Sequence, residues 1–355
     1  VSAPTEAGAG AELARSLEES LGKILATESL LAATGADRPL DAEVRATIRE
    51  LGVDLVALPE AAGGLGIGVG ERTQLAAVCG RHLVPAAIRD GAFGLAPALV
   101  AVAAGDERAA SLLGSAAAGE LAGAVALAGA GATLSAAVPE GAEVLAVLAP
   151  AEVSLFALGE GSAVAAEPFA ALDAGQGLAR IDLAGAAPFA SVGGPAAAAV
   201  RREYELMLVC EAFGAGERCL EMAVEYAGQR KQFGREIAAF QAVSHQLAGA
   251  KLGVEISRAG IGRYVDLVAE GDVGAAALDE HLGVLRHALP PAAREACEVS
   301  IQVHGGIGFS WELGLHLFYR RILADQYLLG GEGRSAEAVG AAYLERRADE
   351  RGHDG

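Results

Sequence analysis

Aromatic residues make up only 5% of the 355-residue chain, with a single Trp, six Tyr and nine Phe. Lysine is scarcer still, at Lys23, Lys231 and Lys251 alone. The charge balance of 27 basic against 46 acidic residues leaves −19, which repels nucleic acid and anionic lipid surfaces. The four cysteines, Cys79, Cys210, Cys219 and Cys297, form no CxxC pair. Each sits in an apolar or helical stretch, the pattern of reduced, buried thiols in a cytosolic protein. The seven histidines show no HExxH and no paired ligand spacing, so no metal site is expected. No apolar run of about 18 residues is free of charge or glycine, which predicts no membrane span. The opening VSAPTEAGAG lacks a basic stretch followed by an apolar one, so no secretory leader is expected.

What is abundant is apolar and small. Hydrophobic residues reach 52% and charged ones 21%, enough to bury a core without disulfide or metal staples. At about 150 residues per domain the length suggests two or three. The excess of Ala, Gly and Arg reads as GC-rich coding.

Residues 10–118 read as helical. LARSLEESLGKILATESLLAA has apolar residues at spacings of three and four. DAEVRATIRELG makes a second helix, with Asp41 as N-cap and Gly52 as stop. The segment PEAAGGLGIGVG (59–70) breaks helicity without matching GxGxxG, and helices resume at 71–83 and 106–117. Residues 119–193 change character. GELAGAVALAG, EVLAVLAP, EVSLFALG and GLARIDLAG are strand-length runs with breaks every 8–12 residues, and Arg180 is the stretch's only basic residue. After GGP (193–195) the chain turns helical again, with Pro195 in a first turn. Long helices are predicted at 195–230, 236–270 and 275–303, and shorter ones at 311–328 and 334–348, implying a bundle. The tail ERRADERGHDG is expected to fray. The fold class is α+β, in three domains: 1–118 helical, 119–193 a small β-domain, 194–355 a four-helix-type bundle.

Two segments carry chemistry. In YAGQRKQFGREIAAFQAVSHQLA (226–248) a helix ends near Arg230, Phe233-Gly234 turns, and a new helix begins near Glu236. Arg230, Lys231 and Arg235 cluster there in an otherwise acidic chain. Cations, a ring and free N–H groups at a helix start suit a diphosphate, though a solvated turn has the same signature. In IQVHGGIGFSWELGLHLFYRR (301–321) a helix runs into His304-Gly305-Gly306 and restarts near Trp311. Paired glycines allow a backbone or flat ligand to approach, or simply make a tight helix–helix turn.

Together these segments resemble the acyl-CoA dehydrogenase family. Its Arg-x-x-Phe-Gly turn and following Phe-Gln pair stand here as Arg230, Phe233-Gly234 and Phe240-Gln241. Its Gln-x-x-Gly-Gly-x-Gly-Phe/Tyr turn stands as Gln302, His304, Gly305-Gly306, Gly308 and Phe309. LGVDLVALPEAAGGLG is similar to the family's Pro-Glu-x-x-Gly-Gly-x-Gly segment. The resemblance implies FAD as cofactor, an acyl-CoA thioester as substrate, a Glu that removes the α proton while the flavin takes the β hydrogen as hydride, and an electron-transfer flavoprotein as acceptor. It assigns Arg230, Phe233, Gly234, Gln241, Gln302, His304, Gly305 and Gly306 to FAD held by a neighbouring subunit.

Three departures stand against the family pattern. The β-domain, 119–193, is read as shortened. Where the family has Thr-Glu-Pro and Gly-Ser-Asp to grip the flavin ring, this chain has AVALAGAGATLSAAVPEGAE. The catalytic Glu of the family, nine residues after the Arg matched to Arg320, corresponds to Leu329. Glu332 lies three residues on, nearly one helical turn, and is the displaced candidate base. Other members carry the base about ten residues before the match to Ile301, which is Pro291 here. Glu295 and Glu298 share that helix, with Glu295 the weaker candidate and a solvated face the alternative. Glu312 is read as structural. Features serving a neighbour's FAD are kept, and those serving the chain's own flavin and substrate are lost. That asymmetry suggests the degenerate chain of a heterotetramer of the kind that acts on sterol side-chain thioesters. The alternatives are a self-sufficient homo-oligomeric dehydrogenase using Glu332, or a flavin-free acyl-CoA-binding or interaction protein.

Overall fold

A computed structural model of the chain describes residues 9–24, 41–129, 134–173 and 176–353. It divides into two compact units, 1–207 and 208–355.

In the first unit, α1 (Ala9–Ile24), α2 (Asp41–Glu50) and α3 (Val69–Arg81) bury one face each. Leu17 and Leu21 of α1, Val44 and Ile48 of α2, and Leu75, Ala76 and Cys79 of α3 are in the core, the i, i+3/i+4 pattern the sequence displays. Glu18 of α1 ties down the end of α3, at 3.1 Å from Arg81 Nε and 3.2 Å from His82 Nε2. The rest of LATESLLAA lies outside the described residues.

The next helical run is α4 (Ala86–Asp90), a π turn (Gly91–Leu95) and α5 (Ala96–Ala103), followed by α6 (Glu107–Ala117), whose N-cap Asp106 accepts from the Ala109 N–H at 2.8 Å. Residues 86–103 are long and apolar enough to cross a membrane by length and composition, but 67% of them are buried within the unit. Buried there too are Arg89 and Asp90, paired at 2.6 Å, with the Tyr204 hydroxyl donating to Asp90 Oδ1 at 2.7 Å. A charged residue in a dry core persists when paired and hydrogen-bonded.

The sheet contains β1 (Gly123–Leu127), β2 (Ser135–Ala137), β3 (Val144–Leu148), β4 (Glu152–Ala157), β5 (Ala165–Pro168), β6 (Leu178–Asp182) and β7 (Ala190–Gly193). Their order is β5-β6-β2-β1-β3-β4-β7. The four apolar runs of the sequence are β1, β3, β4 and β6. β2, β5 and β7, three or four residues each, are too short to show a period. β3 is buried at every position and pairs in parallel with β1, in register Gly123↔Val144 to Leu127↔Leu148. Continuous Val/Leu/Ala runs in these two strands fit burial on both faces. Pro168 lies on the outer strand β5, where a missing N–H costs no ladder bond. Arg201 closes the far end of the parallel pair: its Nη1 donates to the carbonyls of Ala128 at 2.6 Å and Leu148 at 2.5 Å, while its Nε bonds Glu205 at 2.8 Å.

Helix α7 (Pro195–Gln229) runs through the division at 207/208. The second unit continues with α8 (Gln241–Glu270), α9 (Ala275–His304), α10 (Leu315–Leu328) and α11 (Gly331–His353). Its core takes Val209, Cys210, Cys219 and Leu220 from α7, Val254, Ile261 and Tyr264 from α8, Leu285, Leu289 and Cys297 from α9, and Phe318 and Ile322 from α10. α7 and α9 touch backbone to backbone: a methyl added at Gly216 would stand 2.6 Å from Ala293 Cα. Arg321 and Glu211, both at the centre of the bundle, pair at 2.8 Å. All four cysteines are buried and outside any disulfide, and burial pushes the thiols of Cys210 and Cys219 well up. α8 starts at Gln241, five residues later than the spacing suggested. α11 reaches His353, through most of the stretch expected to fray.

Candidate functional site

The end of the bundle where α7 and α9 finish gathers the residues read from the sequence. α7 stops at Gln229, and Arg230 N–H still bonds Tyr226 O at 2.8 Å. The next six residues fold into a hairpin, β8 (Lys231–Gln232) with β9 (Arg235–Glu236), paired Lys231↔Glu236 and Gln232↔Arg235. Its two-residue turn is Phe233-Gly234, with φ of 54° and 81°. Positive φ at both central positions makes the turn whose twist matches a hairpin, one normally filled by Asn-Gly. Gly234 meets the requirement freely, while a Phe in the left-handed region is an outlier that costs about 1–2 kcal/mol. The Phe233 ring is 92% exposed. Beside it Phe240 meets Phe233 edge-on at 6.2 Å and lies 4.0 Å beneath the Arg235 guanidinium, a cation–π contact that holds one ring of the hairpin in place.

α9 ends at His304, and Gly305 takes φ 62° and ψ −132°, a region closed to residues with a Cβ. No atom lies within 4 Å of a methyl placed at Gly305 or Gly306. The turn is thus open to an approaching group rather than packed against its own chain. Ile307, Phe309 and Trp311 follow at 47%, 78% and 56% exposure. His304 itself is buried. Its Nδ1 lies 2.8 Å from Ser300 O, so that nitrogen carries the proton, and burial pushes the ring below its usual pKa against the opposing pull of that carbonyl. Its ring stacks on Tyr226 at 4.4 Å and 26°.

The Tyr226–His304 stack brings the two motifs together. Tyr226 is one turn before Arg230, and His304 immediately precedes Gly305. The hairpin, the glycine turn, exposed Gln302 and exposed Gln241 at the start of α8 therefore share one end of the second unit. Arg230, Lys231 and Arg235 have no carboxylate within ion-pair distance among the described residues. This is the donor set a diphosphate requires, with exposed rings beside it for a flat heterocycle, so the residues present fit the diphosphate end of FAD. Neither the stack nor the Phe233 backbone was read from the sequence. The Phe-Gly dipeptide between two polar pairs was the available signal for a hairpin.

The candidate bases lie elsewhere and are solvated. Glu332 is exposed in the first turn of α11, and its Oε2 is 3.7 Å from Arg294 Nη1. Arg294 is shared with Glu298, also at 3.7 Å, and Glu298 accepts from the Tyr319 hydroxyl at 3.1 Å. Glu295, next to Arg294 on α9, is exposed. Glu312 is held below the usual carboxylate range by its own backbone N–H and by Ser310. Leu329, at the position matched to the family's Glu, is buried at 4%, and its carbonyl accepts from Arg286 Nη2 at 3.3 Å. Pro291, at the alternative position, is half-buried inside α9. In the first unit, β1 passes from Ala126 into Leu127 and Ala128 with no side-chain hydroxyl or carboxylate, and residues 130–133 of the stretch matched to the flavin-gripping segment lie outside the described residues.

Residues 203–344 match the model of the acyl-CoA dehydrogenase C-terminal domain. Acyl-CoA dehydrogenase IpdE2 of Mycobacterium tuberculosis is 34% identical over 164 residues, covering 46% of this chain and 47% of that protein. The chain thus spans about half the length of the curated relatives it matches. A chain of the ChsE4-ChsE5 complex from Mycobacterium tuberculosis superposes with a TM-score of 0.81 at 24% identity, covering 96% of this chain and 98% of that one. A chain of the steroid ACAD Tcur3481-Tcur3483, in its G363A variant, gives a TM-score of 0.79 at 22% identity over 96% and 98%. The chain has the acyl-CoA dehydrogenase fold from its N-terminal helices through its sheet to its bundle, and over 203–344 it is similar in sequence to that family's C-terminal domain.

Proposed function

We propose that this chain is a subunit of an FAD-dependent acyl-CoA dehydrogenase that completes the FAD site of an unlike partner chain and lacks a base of its own. The single observation that carries the reading is the Tyr226–His304 stack. It joins an exposed cationic hairpin and an open glycine turn at one bundle end, while both nominated carboxylates lie in solvent. Two of the superposing structures are of paired chains, ChsE4-ChsE5 and Tcur3481-Tcur3483, which supports an unlike partner and a steroid-type acyl-CoA substrate. An electron-transfer flavoprotein is the acceptor implied by the resemblance.

Bound FAD would supply the hydride acceptor for the β hydrogen of the thioester. The residues of this chain would act at the other end of the cofactor. Arg230 and Arg235 would neutralise the diphosphate, Gly305 and Gly306 would let it approach the backbone, and the amides of Gln241 and Gln302 would hydrogen-bond the cofactor. Phe233 covers a flat face and excludes water.

Removal of an α proton needs a carboxylate with a raised affinity for protons, and burial is what raises it. Glu332 is 54% exposed, 3.7 Å from Arg294, and so lacks the burial such a base needs. Glu332→Gln and Glu295→Gln in the assembled enzyme are therefore expected to leave kcat within about twofold. A loss of about 10³-fold or more in either variant, the scale of a lost general base, would make this chain catalytic and favour the self-sufficient reading.

A further inference from the structure

The first unit contains a cavity that the family reading does not use. Its volume is about 70 Å³, and it lies where α2, the 53–55 turn, α4, the π turn, the end of α6 and the start of β1 converge. Most of its wall is small: Ala87, Gly91, Ala92, Ala116, Gly119 and Ala122. Its polar lining is Arg45, Arg49 and Asp54. Arg45 and Arg49 are one turn apart on the same side of α2. Like charges so placed destabilise a helix, and neither has a carboxylate within ion-pair distance among the described residues. The Arg49 guanidinium lies against Gly119, just past the end of α6. Asp54 Oδ1 is shut off from solvent with no hydrogen-bond donor. An isolated buried acceptor costs about 1–3 kcal/mol.

The π turn supplies the second independent feature. Gly91 opens it, and a methyl there would meet nothing within 4 Å. A one-turn π segment widens a helix locally, and such segments recur at functional sites. Here it sets Gly91, Ala92 and Leu95 around the space facing the arginine pair. The volume is roughly half of the about 150 Å³ that admits a benzene ring, which leaves room for a group of about three or four heavy atoms.

We propose that this cavity is a binding site for a small planar oxyanion, a carboxylate or bicarbonate. Arg45 and Arg49 take its two oxygens, and a hydroxyl or N–H on the same ligand donates to Asp54 Oδ1. Two arginines one turn apart in the lining of one void match a planar anion's paired oxygens, and the void admits a carboxyl group but not the body of a large ligand. Bicarbonate supplies both the anionic oxygens and the donor. A larger hydroxy or amino acid would enter only with its carboxyl end.

The test is thermal unfolding of the full chain in sodium bicarbonate, sodium acetate, sodium lactate and sodium chloride at equal ionic strength. A site of this kind gives a saturable rise in Tm of about 3 °C at roughly ten times Kd. The rise is expected with bicarbonate or lactate, smaller with acetate, which lacks the donor for Asp54, and absent with chloride. Bicarbonate alone would identify the free ion, and lactate alone the end of a larger acid. Arg45→Gln is expected to abolish the response. Gly91→Ala keeps every charge, fills the void with one methyl, and is expected to weaken the response at least fivefold, so a failure of the arginine variant to fold leaves the proposal open to test. Equal shifts in all four salts, no saturation, or an undiminished response in Gly91→Ala would overturn it and leave the cavity to water.

Discussion

Phe233 holds a backbone conformation that costs a bulky residue about 1–2 kcal/mol and in return exposes 92% of its ring. Strain retained at an exposed position points to a role outside folding. Phe233→Gly relieves the strain and adds about 0.5–1 kcal/mol of backbone entropy cost, so urea unfolding should show a change within about 1 kcal/mol. Flavin retention in the assembled enzyme should fall at least tenfold. Unchanged retention would make the ring decorative. In the first unit Glu18 sets an acid limit. Burial raises its pKa, but hydrogen bonds and charge from His82 and Arg81 outweigh that and bring it down to about 2 from 4.5. A depressed carboxylate stabilises the fold fully above its unfolded pKa. The contribution is lost as pH falls from about 4.5 through about 2. Glu18→Gln should therefore lose stability at pH 7 and show a flatter acid limb between these values, read from Tm against pH. A parallel offset at all pH values would mean the pair contributes nothing through titration.

At the level of elements, the bundle depends on how closely α7 and α9 approach. Gly216→Ala gains up to about 1 kcal/mol of helix propensity but sets a methyl 2.6 Å from Ala293 Cα. Overpacking of this kind costs about 1–3 kcal/mol, so net destabilisation is expected as a lower urea midpoint at unchanged slope. A stabilised variant would show the helices free to separate. Elements with long periodic sequences were legible: α1, α2, the three helices of 30 residues or more, and the four apolar strands all follow from spacing. α9 even runs through Pro290 and Pro291, as its flanking periodicity implied, although each removes a backbone donor. What stayed hidden was set by tertiary contact or by brevity. The 3-residue β2 has no period to read. The π turn at 91–95 lies within an apolar run that reads as ordinary helix. The hairpin at 231–236 shifts the start of α8 from Glu236 to Gln241 because Phe240, stacked under Arg235, occupies the N-cap.

For the whole molecule, the sequence motifs named candidate site residues, but not that they are neighbours. Arg230 and Gly305 are 75 positions apart, and the packing of α7 on α9, ending in the ring contact between Tyr226 and His304, brings them to one bundle end. The position of the base was legible in a different sense. Leu329 is apolar where the family has a carboxylate, and its burial matches the side chain present. The central claim is that this chain serves a partner's cofactor and holds none alone. The most direct measurement is the flavin-to-protein ratio, by absorbance and native mass, of the chain purified alone and with an unlike acyl-CoA dehydrogenase chain from the same cell. The prediction is no flavin alone and one FAD for each pair of unlike chains, falling when Arg230 is replaced by Gln. One FAD per chain in the unpaired protein would contradict it.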